Sequence, residues 1–254
     1  MKLKTILAFA LSLGLFQAQA QLAATADTIP TKQGPLVVQP VTHGSLVLNY
    51  QGKNVYVDPY GGAELYAGLA KPDLILITDI HGDHMDPKTL GALQTSGVKM
   101  VVPQAVADQL PEQYKQQLVV LKNGESSTQQ GIKVMAVPMY NLPESADAKH
   151  VKGRGNGYIL EMGGKRVYIS GDTEGTPEMR KLKNIDVAFV SMNLPYTMDV
   201  DQAADAVLDF KPKVIYPYHY RGQNGLSDVD SFKTQVNAKN KQIDVRLKDW
   251  YPAQ

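Results

Sequence analysis

The sequence predicts an α/β fold built from two β-sheets with helices on their outer faces. Runs typical of strands dominate the first half of the chain, and strands are mixed with helical segments in the second half. This order is satisfied when two sheets pack together and the helices cover them. The length that remains after an N-terminal leader fits one domain of generous size. Periodicity by itself is equally compatible with an ordinary single-sheet α/β protein.

The first twenty residues have the pattern of an export signal. Two lysines precede the apolar run ILAFALSLGLF, and the small residues of Ala18-Gln19-Ala20 suit a signal peptidase. The apolar run is too short to cross a bilayer, which needs about 20 residues. We therefore predict cleavage after Ala20 and a secreted or periplasmic protein. A flexible lead-in is expected over 21–36, and the folded domain over 37–254.

The composition narrows the classes of partner. Removing the two leader lysines from the 26 basic residues leaves 24, against 25 acidic residues. This near-neutral balance gives no indication of a nucleic acid or an anionic membrane as partner. The sequence contains no cysteine, which excludes disulfides and thiolate metal ligands. We expect a small-molecule or lipid substrate, and an oligomer is compatible with the sequence.

The β-rich runs of residues 45–60 flank QGKN and predict a hairpin. Asp86 and Pro87 predict the N-cap and first residue of a helix, and Gly163-Gly164 predicts a two-residue hairpin turn. Further strands are predicted at 73–78, 99–103, 118–121, 132–138, 157–162, 165–170, 186–191, 213–218 and 243–247. Helices are predicted at 87–96, 104–115, 175–183, 199–210 and 227–238.

The loop after the buried strand DLILIT is the first candidate metal site. It presents Asp79, His81, Asp83 and His84 within six residues. Imidazole and carboxylate groups suit Zn²⁺, Mn²⁺ or Fe²⁺. A tight loop is able to direct these side chains toward two metal ions. We therefore predict that this loop binds metal.

Two other strand ends carry candidate ligands. Asp172 follows the strand YIS beside Gly171, and His219 closes the strand VIYPY. Taken alone, Asp172 is more typical of a turn or helix cap than of a ligand, and His219 of a hydrogen-bonded core histidine.

In chain order, TDIHGDH, GDT and PYHY resemble the signature of the metallo-β-lactamase superfamily, which is His-x-His-x-Asp-His followed by a later His, an Asp and a last His. The opening VTHGSLVLNYQGKNVYVDPY resembles the branch that contains ascorbate-6-phosphate lactonase and the N-acyl-phosphatidylethanolamine phospholipase D type. The resemblance implies a four-layer αββα sandwich with metals at one edge of the sheets.

The resemblance implies roles for individual residues. His81 matches a ligand of the first metal, and Asp172 the carboxylate that bridges both metals. Asp83, His84 and His219 match ligands of the second metal.

The first metal site departs from the family pattern at two positions. Asp79 replaces the first His, and Asn141, or Tyr140 with a one-residue shift, stands where the middle His is expected. His150 follows nine residues later and is able to compensate. Oxygen ligands in place of imidazoles should shift the preference of this site toward harder metal ions and lower its metal affinity. The sequence is compatible with three states of the centre: two bound metals, one metal in the second site, or a site that has lost metal binding. We expect an occupied site.

The expected activity is that of an exported metal-dependent hydrolase that activates water against an ester, lactone or phosphoester bond. Asp83 would orient or deprotonate the water, and His150 or Tyr140 would assist the leaving group. Arg221, with Tyr140 and Asn141, is a candidate contact for an anionic substrate. The alternative is a binding protein of the same fold that has lost one metal site and catalysis.

Overall fold

The structure, a computed structural model, describes residues 26–251. The leader and the cleavage site predicted after Ala20 lie outside the described residues, as do residues 252–254 of the predicted domain. The flexible lead-in expected over 21–36 needs correction. Residues 27–31 form a strand, and residue 34 begins the next one. The strand pairs with its neighbour throughout its length, and Ile29 buries its side chain in the core.

Fourteen of the strands form two seven-stranded sheets. The first sheet contains, in spatial order, β1 (Asp27–Thr31), β2 (Gly34–Thr42), β3 (Ser45–Tyr50), β4 (Lys53–Val57), β5 (Leu74–Leu76), β6 (Lys99–Val102) and β7 (Leu118–Val120). The second sheet contains, in spatial order, β16 (Asp244–Val245), β13 (Val214–Tyr218), β12 (Val187–Ser191), β11 (Lys165–Ile169), β10 (Gly155–Met162), β9 (Ile132–Met139) and β8 (Ser126–Gln129). A small hairpin joins β14 (Arg221–Gly222) and β15 (Gly225–Leu226).

Five α-helices and two short 3-10 helices complete the described part of the chain. The α-helices are α1 (Pro87–Ala92), α2 (Gln104–Gln109), α3 (Pro177–Arg180), α4 (Val200–Phe210) and α5 (Val229–Lys239). The 3-10 helices are Ala63–Tyr66 and Glu112–Gln117. Asp86 caps α1 as predicted, since its carboxylate accepts the backbone N–H groups of Lys88 and Thr89. The helix predicted over 104–115 breaks at Pro111 and continues as a 3-10 turn.

Alternation along the strands of the first sheet shows how the layers pack. Val55 and Val57 face the core between the two sheets, whereas Tyr56 between them belongs to a separate apolar cluster. That second cluster includes Leu90 of α1 and Val106 of α2. One face of the first sheet therefore meets the second sheet, and the other face is covered by helices. On the second sheet, α4 contributes Ala203, Val207 and Phe210 to the main core. The predicted four-layer αββα sandwich is confirmed.

The topology brings several strand ends to one edge of the sandwich. β5 runs parallel to both of its neighbours, and β11, β12 and β13 run parallel to one another. The loops that follow β5, β11 and β13 carry the candidate ligands, so these loops emerge at corresponding ends of their sheets. The backbone N–H of Asn156 donates to the carbonyl of Thr78 at 2.9 Å and joins the two sheets beside this edge.

The C-terminal segment packs against the same edge. Trp250 is fully buried, and its indole Nε1–H donates to the carbonyl of Ser45 at 3.1 Å. The carbonyl of Trp250 accepts the backbone N–H of His43 at 3.4 Å. The end of the described chain therefore supports the loop between β2 and β3. Within residues 26–251, no helix combines the length and apolar character that crossing a membrane would require.

Candidate metal centre

All five histidines of the chain meet at this edge of the sandwich, together with four aspartates. The histidines are His43, His81, His84, His150 and His219, and the aspartates are Asp58, Asp79, Asp83 and Asp172. A cavity of about 440 Å³ opens above them. The loop after β5 supplies four of these groups, and the ends of β11 and β13 supply Asp172 and His219. The structure therefore brings together the six predicted metal ligands.

His84, Asp172 and His219 form the most buried cluster of possible ligands. The Nε2 atoms of the two histidines lie 3.2 Å apart. His84 Nε2 is 3.4 Å from Asp172 Oδ2, and His219 Nε2 is 3.3 Å from Asp172 Oδ1. Lone pairs so close together need a proton or a cation between them. Asp83 Oδ2 lies 3.4 Å from His219 Nε2 and completes the predicted second-site set.

His84 is held from behind by Asp58. The His84 Nδ1–H donates to Asp58 Oδ2 at 2.8 Å, and both groups are fully buried. Thr78 fixes the same carboxylate, donating its backbone N–H at 2.7 Å and its hydroxyl at 2.6 Å. With the proton on Nδ1, the lone pair of His84 stands on Nε2 and faces the cluster. This carboxylate–histidine arrangement is the one that orients metal ligands in proteins.

His219 and His43 reach the centre from unusual backbone conformations. His219 has a φ of 48°, His43 a φ of 52° and Asp58 a φ of 44°. Such left-handed conformations are disfavoured for residues with a Cβ and concentrate at functional sites. The side-chain nitrogen Nδ2 of Asn193 lies 3.0 Å from His219 Nδ1. The Thr197 hydroxyl donates to Oδ1 of the same asparagine.

Asp83 sits between His219 and His43, with 32% of its side chain exposed. His43 Nε2 lies 3.1 Å from Asp83 Oδ2, and His43 Nδ1 lies 2.7 Å from the Tyr251 hydroxyl. That hydroxyl also accepts the backbone N–H of Arg221 at 3.1 Å. We therefore infer that the Tyr251 hydroxyl donates its hydrogen to His43 Nδ1. The proton of the His43 ring is then on Nε2, which donates to Asp83. His43 thus fixes the orientation of this carboxylate.

The second cluster of possible ligands contains Asp79, His81 and His150. Asp79 Oδ2 lies 2.9 Å from His81 Nδ1 and 3.9 Å from His150 Nε2. His150 Nε2 is also 3.3 Å from Asp172 Oδ2. Asp172 therefore stands between the two clusters, which is the place of the predicted bridging carboxylate.

Asp79 has a cationic partner outside the motif. Arg154 donates Nε–H to Asp79 Oδ1 at 3.1 Å and Nη2–H to Asp79 Oδ2 at 2.8 Å. Nη2 also donates to the carbonyl of Lys149 at 2.7 Å, which fixes the plane of the guanidinium. The carboxylate of Asp79 is completely buried, and Arg154 is 21% exposed. Arg154 therefore neutralises a charge that the imidazole of the family pattern would not carry.

The structure favours one of the two roles predicted for His150. Its Nδ1 and backbone N–H lie 3.1 and 2.7 Å from Asn141 Oδ1, and its side chain is buried. Its Nε2 has no hydrogen-bond partner and faces Asp172. A buried, oriented nitrogen beside the bridging carboxylate fits a ligand better than the proton donor that we expected. His150 thus stands in the place of the missing middle histidine.

Two of the three predicted substrate contacts need correction. Tyr140 points away from the cavity, and its hydroxyl donates to Glu178 Oε2 at 2.7 Å. The side-chain oxygen of Asn141 accepts the backbone N–H of His150, and its NH₂ group donates to the carbonyl of Tyr196 at 2.8 Å. Its contribution is to position His150. Arg221 does line the cavity, beside Lys149.

The donor set fits divalent metal ions. His150 Nε2 and Asp172 Oδ1 are buried polar atoms without a hydrogen-bond partner, and both belong to the ligand clusters. Buried polar atoms of native proteins are nearly always satisfied, so such atoms need an ion or water. Imidazole nitrogen and carboxylate oxygen are ligands that zinc, manganese and iron accept.

The charges of the centre are strongly coupled. Burial opposes a charge on His84, but Asp172 and Asp58 outweigh it and hold the pKa of His84 well above its usual value. Burial also opposes ionisation of Asp83, yet hydrogen bonds from His219 and His43 hold the pKa of Asp83 well below its usual value. For Asp79, burial is outweighed by hydrogen bonds from His81 and Arg154, which lower its pKa. The carboxylates of Asp79 and Asp83 are therefore ionised at neutral pH, which favours the binding of cations.

Five residues that support the centre are absent from the predicted site: His43, Asp58, Arg154, Asn193 and Tyr251. Only His43 and Asp58 belong to a stretch that the sequence singled out, VTHGSLVLNYQGKNVYVDPY, in which Asp58 directly follows β4. A carboxylate at a strand end was a usable signal there, but nothing linked it to His84. The other three carry no local signal, because their partners are distant in sequence.

Comparisons with known proteins show the family of this chain. A family model for the beta-lactamase superfamily domain matches residues 38–219. A UPF0173 metal-dependent hydrolase of Pyrococcus abyssi is 32% identical over 203 residues, covering 75% of this chain and 88% of that protein.

Two solved structures are also similar. A Parabacteroides distasonis protein assigned as a metal-dependent hydrolase is 41% identical, with a TM-score of 0.79 over 89% of this chain and 99% of that one. Igni18, a metallo hydrolase of Ignicoccus hospitalis, is 25% identical, with a TM-score of 0.71 over 85% of this chain and 95% of that one. The chain therefore belongs to the metallo-β-lactamase superfamily and is one of its metal-dependent hydrolases.

Proposed function

We propose that this hydrolase is exported, holds two divalent metal ions, and cleaves an ester, lactone or phosphoester bond in a small anionic substrate. One observation carries the proposal. Two groups of possible ligands meet at Asp172 below one cavity, since Asp172 belongs to the group with His84 and His219 and lies 3.3 Å from His150 of the other group. That arrangement supports a pair of metals with open positions toward the cavity.

The clusters assign the residues that would hold each ion. Asp79, His81, His150 and Asp172 suit the first ion, and Asp83, His84, Asp172 and His219 suit the second. When bound, zinc, manganese or iron supplies an activated water molecule and polarises the bond under attack. A carboxylate in place of one imidazole favours the harder ions of this group in the first site.

Asp83 is the residue best placed to orient the attacking water. It is the most exposed of the site aspartates, and it lines the cavity. His43 holds Oδ2 of Asp83 at 3.1 Å, so the other oxygen, Oδ1, is left to accept a hydrogen bond from water.

Positive side chains at the cavity mouth support an anionic substrate. Lys149 and Arg221 both line the cavity, and among residues 26–251 neither forms an ion pair. The Arg221 guanidinium lies 4.3 Å above the ring of Tyr251, which restrains it. A restrained arginine is suited to a carboxylate or phosphate on the substrate. The resemblance of the opening motif to a lactonase of a phosphorylated sugar acid points the same way.

The hydrolase proposal is tested by metal analysis and a substrate panel. The metal-loaded protein is assayed on chromogenic phosphodiesters, phosphomonoesters, carboxylate-bearing esters and lactones. His84→Ala and His219→Ala serve as matched controls, since each removes one ligand of the proposed second metal ion. Hydrolysis of at least one anionic class about 100-fold above both variants is expected, given the barrier lowering that a metal-activated water provides. Fewer than about 0.2 equivalents of metal per wild-type chain would overturn the proposal and favour a binding protein.

Export has a separate test. The full-length gene is expressed in a Gram-negative host, and the product is recovered from periplasm and medium. N-terminal sequencing should begin at Gln21. An intact Met1 in the cytoplasmic fraction would refute the predicted leader without affecting the hydrolase proposal.

A further inference from the structure

The pair formed by Asp79 and Arg154 extends the metal centre beyond the family motif, and the inference drawn from it rests on the first metal site proposed above. Asp79 stands at the position of the first His of the signature, at the end of the strand that feeds the ligand loop. Arg154 lies 75 residues away in sequence, immediately before β10. No part of the signature requires an arginine there.

Charge is the first reason to treat the two residues as a unit. An imidazole ligand is neutral, whereas Asp79 adds a buried negative charge that would be costly without a partner. Arg154 adds one positive charge at 2.8 Å from Asp79 Oδ2. The net charge of the centre is therefore the same as with a neutral histidine at position 79 and no arginine.

Geometry is the second reason. The fork of Arg154 binds Nε to Oδ1 and Nη2 to Oδ2, so the carboxylate plane is fixed. Oδ2 is the oxygen that also faces His81 Nδ1 at 2.9 Å and His150 Nε2 at 3.9 Å. Arg154 thereby leaves one oxygen directed at the cluster, as one imidazole nitrogen would be. The bond from Nη2 to the Lys149 carbonyl fixes the guanidinium in turn.

We propose that Asp79 and Arg154 together replace the first histidine of the superfamily signature, with Arg154 acting as a positioning residue that presents Asp79 as a single-oxygen ligand of the first metal ion. The pair matches the imidazole in net charge and in the number of donor atoms directed at the ion. Neither residue performs this role without the other. A histidine at position 79 would face an unpaired guanidinium, and Asp79 without Arg154 would lose its orientation.

A double-variant cycle on metal binding tests the proposal without any substrate. Asp79→His, Arg154→Met and the combined variant are loaded with Zn²⁺ or Mn²⁺ and titrated against a chelator of known affinity. Each single variant should weaken the first site about tenfold or more, the size typical of lost ligand support. Independent effects would multiply to about 100-fold, whereas the combined variant should return to within about threefold of wild type. Arg246→Met is the control, since Arg246 also pairs with carboxylates at similar exposure, 27%, but its partners Asp27 and Asp244 belong to none of the ligand clusters.

The outcomes separate this proposal from the one on which it rests. A combined variant that binds the first ion no better than Asp79→His overturns the pairing. Unchanged metal binding in Arg154→Met, with a raised KM instead, would make Arg154 a substrate contact and would also overturn it. The second ion, held by His84 and His219, is the internal reference and should persist in every variant. Loss of both ions from wild type would instead refute the hydrolase proposal itself.

Discussion

Asp58 offers a test of how the protein tunes its metal centre from outside the ligand set. Asp58→Asn keeps the shape of the side chain and removes one acceptor. The native carboxylate accepts three hydrogens, from the backbone and hydroxyl of Thr78 and from His84 Nδ1. An amide cannot satisfy all three. If its oxygen faces His84, its NH₂ opposes the backbone N–H of Thr78; if it is reversed, its NH₂ faces Nδ1.

The reversed amide has a direct consequence for the metal. A donor beside Nδ1 moves the proton of His84 to Nε2, the atom that lies 3.2 Å from His219 Nε2 and 3.4 Å from Asp172. That proton occupies the position of the second ion. Loss of such support weakens metal binding by about 10- to 100-fold, which corresponds to about 1.4 to 2.7 kcal/mol. The first ion, whose ligand His150 is held by Asn141, should keep its affinity.

The assay is a chelator competition titration that resolves the two ions, with thermal unfolding to check folding. Asp86→Asn is the matched control, because Asp86 caps α1 on the same loop and asparagine is an equally good cap. A second-site affinity within about threefold of wild type in Asp58→Asn would refute the tautomer argument.

Three further outcomes follow from the structure. Removing metal with a chelator should abolish hydrolysis and lower Tm by several degrees, and adding Mn²⁺ or Zn²⁺ should reverse both in a thermal-shift assay. Tyr251→Phe removes the hydroxyl that fixes His43, so kcat should fall about tenfold while metal equivalents stay constant. Asp27→Asn should cost about 1 to 2 kcal/mol of unfolding free energy at pH 7, because Asp27 accepts bonds from Tyr216 and Arg246. Although burial opposes ionisation, these partners lower the pKa of Asp27. The difference in unfolding free energy between wild type and Asp27→Asn should be fully present above pH 3.8, the ordinary pKa of the group. It should vanish as the pH falls through the lowered pKa of the folded state, which denaturant titrations at several pH values would show.

Much of the architecture was predictable because local chemistry and tertiary structure agree. The hairpin of β3 and β4 turns at Gln51 and Gly52, both with positive φ, as the QGKN stretch predicted. The predicted Gly163-Gly164 turn joins β10 and β11. By contrast, β8 has the sequence SSTQ, which lacks the apolar residues that mark a strand. Pairing with β9 rather than intrinsic preference forms that strand.

The ligand loop was predictable for a similar reason, since its four groups are adjacent in sequence. The supporting residues were not, because their contacts depend on topology. Arg154 meets Asp79 across 75 positions, and Tyr251 meets His43 across 208. The sequence left two roles open for His150 because the backbone path from Asn141 is not visible in it. The loop returns so that the two residues exchange hydrogen bonds, with Asn141 N–H donating to the His150 carbonyl at 2.9 Å.

The packing of the C-terminal segment bears on how the protein should be handled. Trp250 anchors that segment to Ser45, and Tyr251 touches both His43 and Arg221. A polyhistidine tag fused close behind Tyr251 would place foreign imidazoles near groups that line the cavity, where they compete for the ions being counted. Purification for metal analysis should therefore use a cleavable tag on the N-terminal side of the folded domain.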